Sequence, residues 1–185
     1  MSMPSLAVEA LPLAGLLAIT PRVFADDRGF FLESYREAAY RAAGIDVAFV
    51  QDNHSRSQAR TLRGMHFQSA PGQAKLVRVV SGKIFDVAVD IRPDSPTFGQ
   101  WYGIELDAVT HRQLFVPVGF AHGFCVLSET ADVAYKVSSY YDPRAEHTFS
   151  YADPEVGIRW PVTDPILSPR DRDAPPLSAL RSKLT

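Results

Sequence analysis

Many short stretches, alternating or apolar and separated by Gly, Pro, Asp and Ser, predict an all-β sandwich or barrel. Only one stretch carries a strong helix signature, and it lies near the start. The chain shows no internal repeat and no low-complexity tract. Its 185 residues can bury a real core, and they are read as a single domain spanning 1–185.

Each element has its own signal. "LPLAGLLAIT" (11–20) is read as an opening strand; it is too short for a membrane span and is interrupted by Pro12 and Gly15. Glu9 and no basic stretch precede it, so it is not read as a signal-peptide core. "SYREAAYRAAG" begins at Ser34 with Glu37 three residues on, a capping box, and ends at Gly44, a natural residue for a helix terminus. "AKLVRVV" (74–80) runs into "SGK", a hairpin-type turn. "KIFDVAVDI" (83–91) alternates, with Phe85, Val87, Val89 and Ile91 on one face and Asp86, Ala88 and Asp90 on the other. "QLFVPVGF" (113–120) and "FCVLS" (124–128) are two further strands, broken by Pro117 and Gly119. "VAYKVSSYY" (133–141) is another, stopped by Asp142-Pro143. From about residue 168 the Pro-rich end reads as a tail packed on the surface.

The net charge of −2 provides no global field toward nucleic acid or an anionic membrane. An anionic ligand must therefore be held by local arginines and lysines. The only cysteine, Cys125, cannot form an internal disulfide, which fits a reducing cytoplasm.

The candidate chemistry starts at "RGMHFQ" (63–68). A lone histidine in an apolar run is ordinarily a packed core residue. Here His66 has company: "FVQDNHS" (49–55) upstream, Lys75 downstream, and His122 within "PVGFAHGF" (117–124). The pattern P-x-G-x-x-H resembles the second motif of the cupin superfamily. Metal-binding cupins carry H-x-H and then a glutamate in their first motif. The matching run here is His66-Phe67-Gln68 with Lys75 beyond it and no glutamate in the interval. Two histidines without a third strong ligand suit neither zinc nor iron, so the site is read as metal-free. His54, His111 and His147 are read as surface or structural.

Eight strings, in order, carry a more specific resemblance: "DDRGFFLESY", "FVQDNHSRS", "LRGMHFQ", "KLVR", "FDVAVDIRPDSPTFGQW", "RQLFVPVGFAHGF", "AYKVSSYYDP" with Glu146, and "LSPRD". Together they resemble the dTDP-4-dehydrorhamnose 3,5-epimerase family over roughly residues 20 to 175. The resemblance implies a cupin-type jelly roll, a homodimer, no cofactor and no metal. It implies a dTDP-4-dehydro-6-deoxyhexose as substrate, with no nucleic acid or membrane as partner.

Inverting a carbon beside a ketone needs a base, a proton donor across the ring and a cation for the enolate oxygen. The resemblance assigns these to His66 as base with Asp171 orienting it, Tyr135 as donor and Lys75 as the cation. Tyr140 and Tyr141 are read as packing or rim residues. Substrate contacts are assigned to Arg28, Glu33, Gln51, Asp52, Asn53, Arg63, His122, Glu146 and Arg170. Arginine suits the diphosphate because its fork bonds two oxygens at once. Position 170 is arginine where some relatives have lysine, and Val118 stands where many have glutamate.

On an ideal strand Arg63 and His66 point to opposite faces, since their separation is odd. Both are wanted in one cleft, so Gly64 between them predicts a bulge or bend. Three alternatives compete with the double epimerase. They are an epimerase acting at one carbon, a non-catalytic sugar-nucleotide-binding β-sandwich, and a metal-dependent cupin oxygenase. The segment "VFADDRGFFLESY" is read as a strand able to pair or swap between subunits, bringing Arg28 and Glu33 to a neighbour's pocket.

Overall fold

Alternation and turn residues resolve into thirteen strands among the described residues; the computed structural model describes residues 6–184. The strands are β1 (Ala7–Ala10), β2 (Leu17–Thr20), β3 (Val23–Asp26), β4 (Gly29–Leu32), β5 (Gln51–Gln58), β6 (Leu62–Gln68) and β7 (Lys75–Ser81). They continue with β8 (Lys83–Asp90), β9 (Trp101–Asp107), β10 (Gln113–Val116), β11 (Phe120–Val126), β12 (Thr130–Val137) and β13 (Glu146–Thr148). Helix α1 (Glu37–Ala42), the short α2 (Pro169–Arg172) and a 3-10 helix (Leu177–Lys183) complete the set.

Two antiparallel sheets face each other as a jelly-roll sandwich. One has the order β1-β2-β10-β7-β12-β5, the other β13-β6-β11-β8-β9. Period-two alternation sends Val77, Val79, Leu114, Val116 and Val133 inward from the six-stranded sheet. They meet Ile84, Ala88, Ile104, Leu106, Phe120 and Phe124 from the five-stranded one. Each fully buried aliphatic or aromatic side chain contributes about 1.5–3 kcal/mol, enough together to offset a few polar groups in the same space.

Both outer faces are also covered. Met65, Phe67, Val87, Val89 and Ala121 lie under Phe149, Val156 and Leu177 of the C-terminal segment. Ile19, Leu76 and Phe115 lie under Ala39 and Tyr40 of α1. This double cover explains why β11 is buried along its whole length.

Four local expectations change. "LPLAGLLAIT" is not one strand but a turn followed by β2. Leu11 N–H bonds the Leu16 carbonyl at 3.0 Å, and Gly15 takes a φ of +94° that reverses the chain. Helix α1 begins three residues after Ser34, with Arg36 as its N-cap and no side-chain cap. The Ser34 carbonyl instead accepts from Tyr40 Oη (3.0 Å) and Gln113 Nε2 (2.9 Å), which ties the loop to the sheet. "SGK" is a corner rather than a hairpin, because β7 and β8 belong to different sheets. A Cβ on Gly82 would stand 2.1 Å from the Thr130 carbonyl, so only glycine fits that corner. Finally, the strand expected at 124–128 starts earlier, at Phe120, and carries His122 into the sheet. The expected helix terminus holds: Gly44 N–H bonds the Arg41 carbonyl (3.0 Å) and Ile45 N–H the Tyr40 carbonyl (2.9 Å), a Schellman pair.

Candidate active site

The site is built on β6. His122 of β11 stands opposite His66, yet the next matched pair is Phe124 with Arg63. A two-residue step on β11 thus spans a three-residue step on β6, which is a bulge at Gly64-Met65. The extra residue restores parity, so Arg63 and His66 fall on the same inward face while Met65 joins the outer cluster. Close approach explains why the bulge sits at glycine: a Cβ on Gly64 would lie 2.6 Å from Gly123 Cα. Arg63 Nε then reaches across the sandwich to Ser57 Oγ at 3.0 Å.

Asp171 reaches His66 from the C-terminal segment. "SPRD" forms a one-turn helix in which Ser168 Oγ accepts from the Asp171 N–H (3.1 Å) and donates to Asp171 Oδ2 (2.9 Å). This reciprocal cap leaves Oδ1 for His66 Nε2 at 2.6 Å. Burial pushes the Asp171 carboxyl upward. The hydrogen bond and charge of His66, the Ser168 hydroxyl and Arg170 together hold it below the usual carboxylate range. An ionised carboxylate only accepts, so Nε2 carries the proton and Nδ1 is the ring nitrogen left free. The His66 side chain keeps 26% of its surface exposed while Asp171 keeps 4%, which gives an imidazole reachable from a pocket and a hidden partner.

Facing strands supply the rest. Val137 pairs with Lys75 and Tyr135 with Val77, so Lys75 and Tyr135 are inward-facing diagonal neighbours. Asn53 stands beside Tyr135 and Gln51 beside Val137 on β5. Gln51 Nε2 donates to Asn53 Oδ1 at 2.8 Å. Burial pulls the Lys75 ammonium below its usual range, against the carboxylates of Glu146 and Asp86. Burial raises the Tyr135 phenol, as does Glu146, with Arg63 opposing. On β13 and β6, Gln68 Nε2 donates to Glu146 Oε2 at 3.2 Å, and Arg170 stands 3.8 Å from Glu146. His122 Nε2 lies 2.8 and 3.0 Å from the two oxygens of Asp86.

A cavity of about 280 Å³ opens over Arg63, His66, Arg170 and Asp171. Arg170 also borders a second cavity of about 490 Å³, walled by Glu146, Thr148, Asp173 and Pro175. Tyr135 borders a third, of about 370 Å³, whose other residues include His54, Arg78 and Lys136. That one lies on the outside of the six-stranded sheet, whereas the Tyr135 ring packs with the core between the sheets. Strand register puts His66 of β6 and Tyr135 of β12 on the facing inner surfaces of the two sheets.

Three of the expected residues stand apart. Asp52 pairs with Lys136 at 2.9 Å on the outer face, because it alternates with inward-facing Gln51 and Asn53. Arg28 sits at the tip of the β3–β4 hairpin with a side chain 90% exposed, bonded to Asp26. Glu33 pairs with Arg36 just beyond that hairpin. Sequence reasoning did not single out Ser168, Ser57, Gln68 or Asp86 as part of the site. The Ser168-x-x-Asp171 spacing was a readable cap signal, and Asp86 was readable as an inward carboxylate. Val118 packs near Gly72 at an exposed loop.

Among the described residues no group of three or more His, Cys, Asp or Glu side chains is placed to hold a metal ion. Among the described residues no helix is long and apolar enough to cross a membrane.

The family described as dTDP-4-dehydrorhamnose 3,5-epimerase matches residues 10–179. A Pseudomonas aeruginosa protein of that name is 52% identical over 164 residues, covering 88% of this chain and 91% of that one. The fold superposes with a TM-score of 0.93 on a dTDP-6-deoxy-D-glucose-3,5-epimerase of Legionella pneumophila in complex with dTDP-4-keto-L-rhamnose, at 47% identity and 96% coverage of both chains. It superposes at 0.91 on the Bacillus anthracis dTDP-4-dehydrorhamnose 3,5-epimerase with TDP and PPi bound, at 48% identity over 93% of this chain and 99% of that one. A shared jelly roll, near-complete coverage and about half the residues in common settle its kinship: this chain belongs to the dTDP-4-dehydrorhamnose 3,5-epimerase family.

Proposed function

We propose that this isomerase inverts carbons 3 and 5 of dTDP-4-dehydro-6-deoxy-D-glucose, giving dTDP-4-dehydro-L-rhamnose on the route to dTDP-L-rhamnose. The observation that carries the reading is the 2.6 Å bond from His66 to Asp171 on the strand that faces Tyr135 and Lys75. The ketone at carbon 4 acidifies the hydrogens on both neighbouring carbons. His66 Nδ1 takes one of them, the electron pair moves to the carbon 4 oxygen, and Asp171 steadies the imidazolium that forms. The Lys75 ammonium meets the new oxyanion in a space with little water, where charge is worth most. Tyr135 then delivers its phenolic proton to the opposite face of the carbon, and the enolate pair returns to form the new C–H bond. The proton on His66 leaves and Tyr135 regains one through solvent, so each inversion balances. A second cycle at the other carbon uses the same groups.

Arg63 and Arg170 suit the diphosphate, with Gln51, Asn53, Glu146 and His122 offering hydrogen bonds to base and sugar. Asp52 contributes through its main chain, since its side chain faces away.

Arg28 and Glu33 act in a neighbouring subunit's pocket, which makes the working form a homodimer. Three facts support this. The β3–β4 hairpin pairs with no other strand among the described residues, it exposes Phe30 and Phe31, and β5 ends its sheet with an open edge. A nucleotide-sugar substrate and an unpaired, buried Cys125 fit the cytoplasm.

Proton NMR of the reaction in deuterium oxide tests the reading. Deuterium at carbons 3 and 5 with inversion at both is expected. Exchange at one carbon alone would make the protein a single-carbon epimerase, and no exchange at all would leave a binding module.

A further inference from the structure

Two aspartates that the mechanism above leaves unused have no exposed surface; Asp90 is held by Arg92, Ser95 and Thr97, which leaves Asp86. Its carboxylate has no exposed surface, and both oxygens lie within hydrogen-bond distance of His122 Nε2. A buried carboxylate is destabilising unless it is paired, and here it lies between Ile84 and Ala88 on the inward face of β8, across the sandwich from the inward face of β7 that carries Lys75. We propose that Asp86 is a positioning residue of the epimerase centre: it fixes His122 through Nε2 and supplies the counter-charge that keeps the Lys75 ammonium available to the enolate. This inference rests on the epimerase reading above.

The geometry gives Asp86 two tasks. His66 and His122 are direct cross-strand partners, so their Cβ atoms are about 4.5–5.5 Å apart. Two imidazoles that close can bond to one another, which would occupy the free nitrogen of the base. Each is instead clamped through Nε2 by its own aspartate, His66 by Asp171 and His122 by Asp86. The Nε2–H of His122 is spent on Asp86, so it has no donor there to offer His66 Nδ1.

The second task is electrostatic. The inward-facing polar groups on the strands around Lys75 include Asp86 of β8, Glu146 of β13, His122 of β11, Tyr135 of β12, and His66 and Arg63 of β6. Only Asp86 and Glu146 oppose the effect of burial on the ammonium. Glu146 is also engaged by Gln68 and Arg170. Glu146 has the larger effect and Asp86 the smaller, and of the two Asp86 is the one with no exposed surface.

The test compares Asp86→Asn with the unaltered enzyme by the rate of deuterium entry into dTDP-4-dehydro-6-deoxy-D-glucose, followed from pH 5.5 to 10. Asparagine keeps the shape and removes the charge. Without the anion the ammonium gives up its proton more easily, so the alkaline limb of kcat moves to lower pH, on the order of one unit. kcat falls at least tenfold at neutral pH while KM stays within about threefold. Asp86→Glu, which restores the charge, recovers part of the limb. A profile for Asp86→Asn that overlays the unaltered enzyme's in position and height overturns the proposal. Should the unaltered enzyme show no exchange, the epimerase reading falls and takes the proposal with it. Should Asp86→Asn fail to fold, nitrogen-15 NMR of the unaltered enzyme decides, with the His122 signals assigned by loss in His122→Asn. A proton held on Nε2 across the active pH range is expected; a neutral ring with bare Nε2 overturns it.

Discussion

The space between the sheets and the β3–β4 hairpin carry residues assigned to one site, and they hold them in opposite physical states. Between the sheets side chains fix one another: His66 by Asp171, Asp171 by Ser168, His122 by Asp86, Glu146 by Gln68. On the hairpin, Arg28 bonds only Asp26 among the described residues, and Phe30 and Phe31 are 62% and 67% exposed. Chemistry that needs aligned atoms sits where packing sets positions to tenths of an ångström. Under the proposed function, ligand grip that tolerates adjustment falls to a projecting element. Under that same proposed function, the difference teaches that one chain can fold its own catalytic groups completely and still leave part of its binding surface to be finished by a neighbour.

Removing the base should break the fixed half outright. His66→Ala should lower kcat by about 10²–10⁴-fold, the usual worth of a positioned general base. KM for the nucleotide sugar should stay nearly unchanged, because the grip lies elsewhere. Deuterium uptake by NMR reads both, and a loss under tenfold would remove His66 from the base's place.

The bulge is the next point to attack. Gly64→Ala puts a methyl 2.6 Å from Gly123 Cα at a φ of +137°, a backbone that side chains rarely adopt. Such strain is destabilising by about 1–3 kcal/mol. If the strand relaxes to regular pairing instead, Arg63 and His66 separate to opposite faces and activity falls with little loss of stability. Urea unfolding alongside turnover distinguishes the two, and a fully active, fully stable variant would mean that the bulge is not what aligns the pair.

The hairpin sharpens the contrast from the other side. Arg28→Ala should leave unfolding within about 0.5 kcal/mol of the unaltered protein, as for other surface positions. Loss of a charge-assisted bond is worth about 1.5–3 kcal/mol, so KM should rise on the order of ten- to a hundredfold with kcat nearly kept. An unchanged KM would sever the hairpin from the site.

Strand alternation made the sandwich legible, because a period of two survives any packing. The odd spacing of Arg63 and His66 even announced the bulge, since two groups wanted in one cleft cannot sit on opposite faces. What stayed hidden was set by distance along the chain. Ser34 looked like a helix cap, but its carbonyl is claimed by Tyr40 and by Gln113, a residue from another strand, and no local pattern encodes that. "SGK" looked like a hairpin because turn chemistry does not reveal which sheet each arm joins. In the site, residue types and family spacing named His66, Asp171, Lys75 and Tyr135. They did not separate Asp52 from Gln51 and Asn53, which needs the register of β5 against β12.

The smallest effect is on acid stability, and it distinguishes a catalytic carboxylate from a structural one. Asp171 is held below the usual carboxylate range, with burial opposed by His66, Ser168 and Arg170. Asp90 is lowered to about 2, where burial is outweighed by Arg92, Ser95 and Thr97. A lowered native value means that the unfolded chain binds more protons in the window between the two values. Each pair therefore stabilises fully above the ordinary carboxylate range and loses that contribution as pH falls through its native value. Asp171→Asn and Asp90→Asn should both flatten the acid side of a plot of melting temperature against pH. Only Asp171→Asn should also cut turnover at neutral pH, because only Asp171 orients the base. If Asp90→Asn, once folded, proved as inactive as Asp171→Asn, catalysis would depend on the stiffness of the whole sandwich and not on the local clamp at His66.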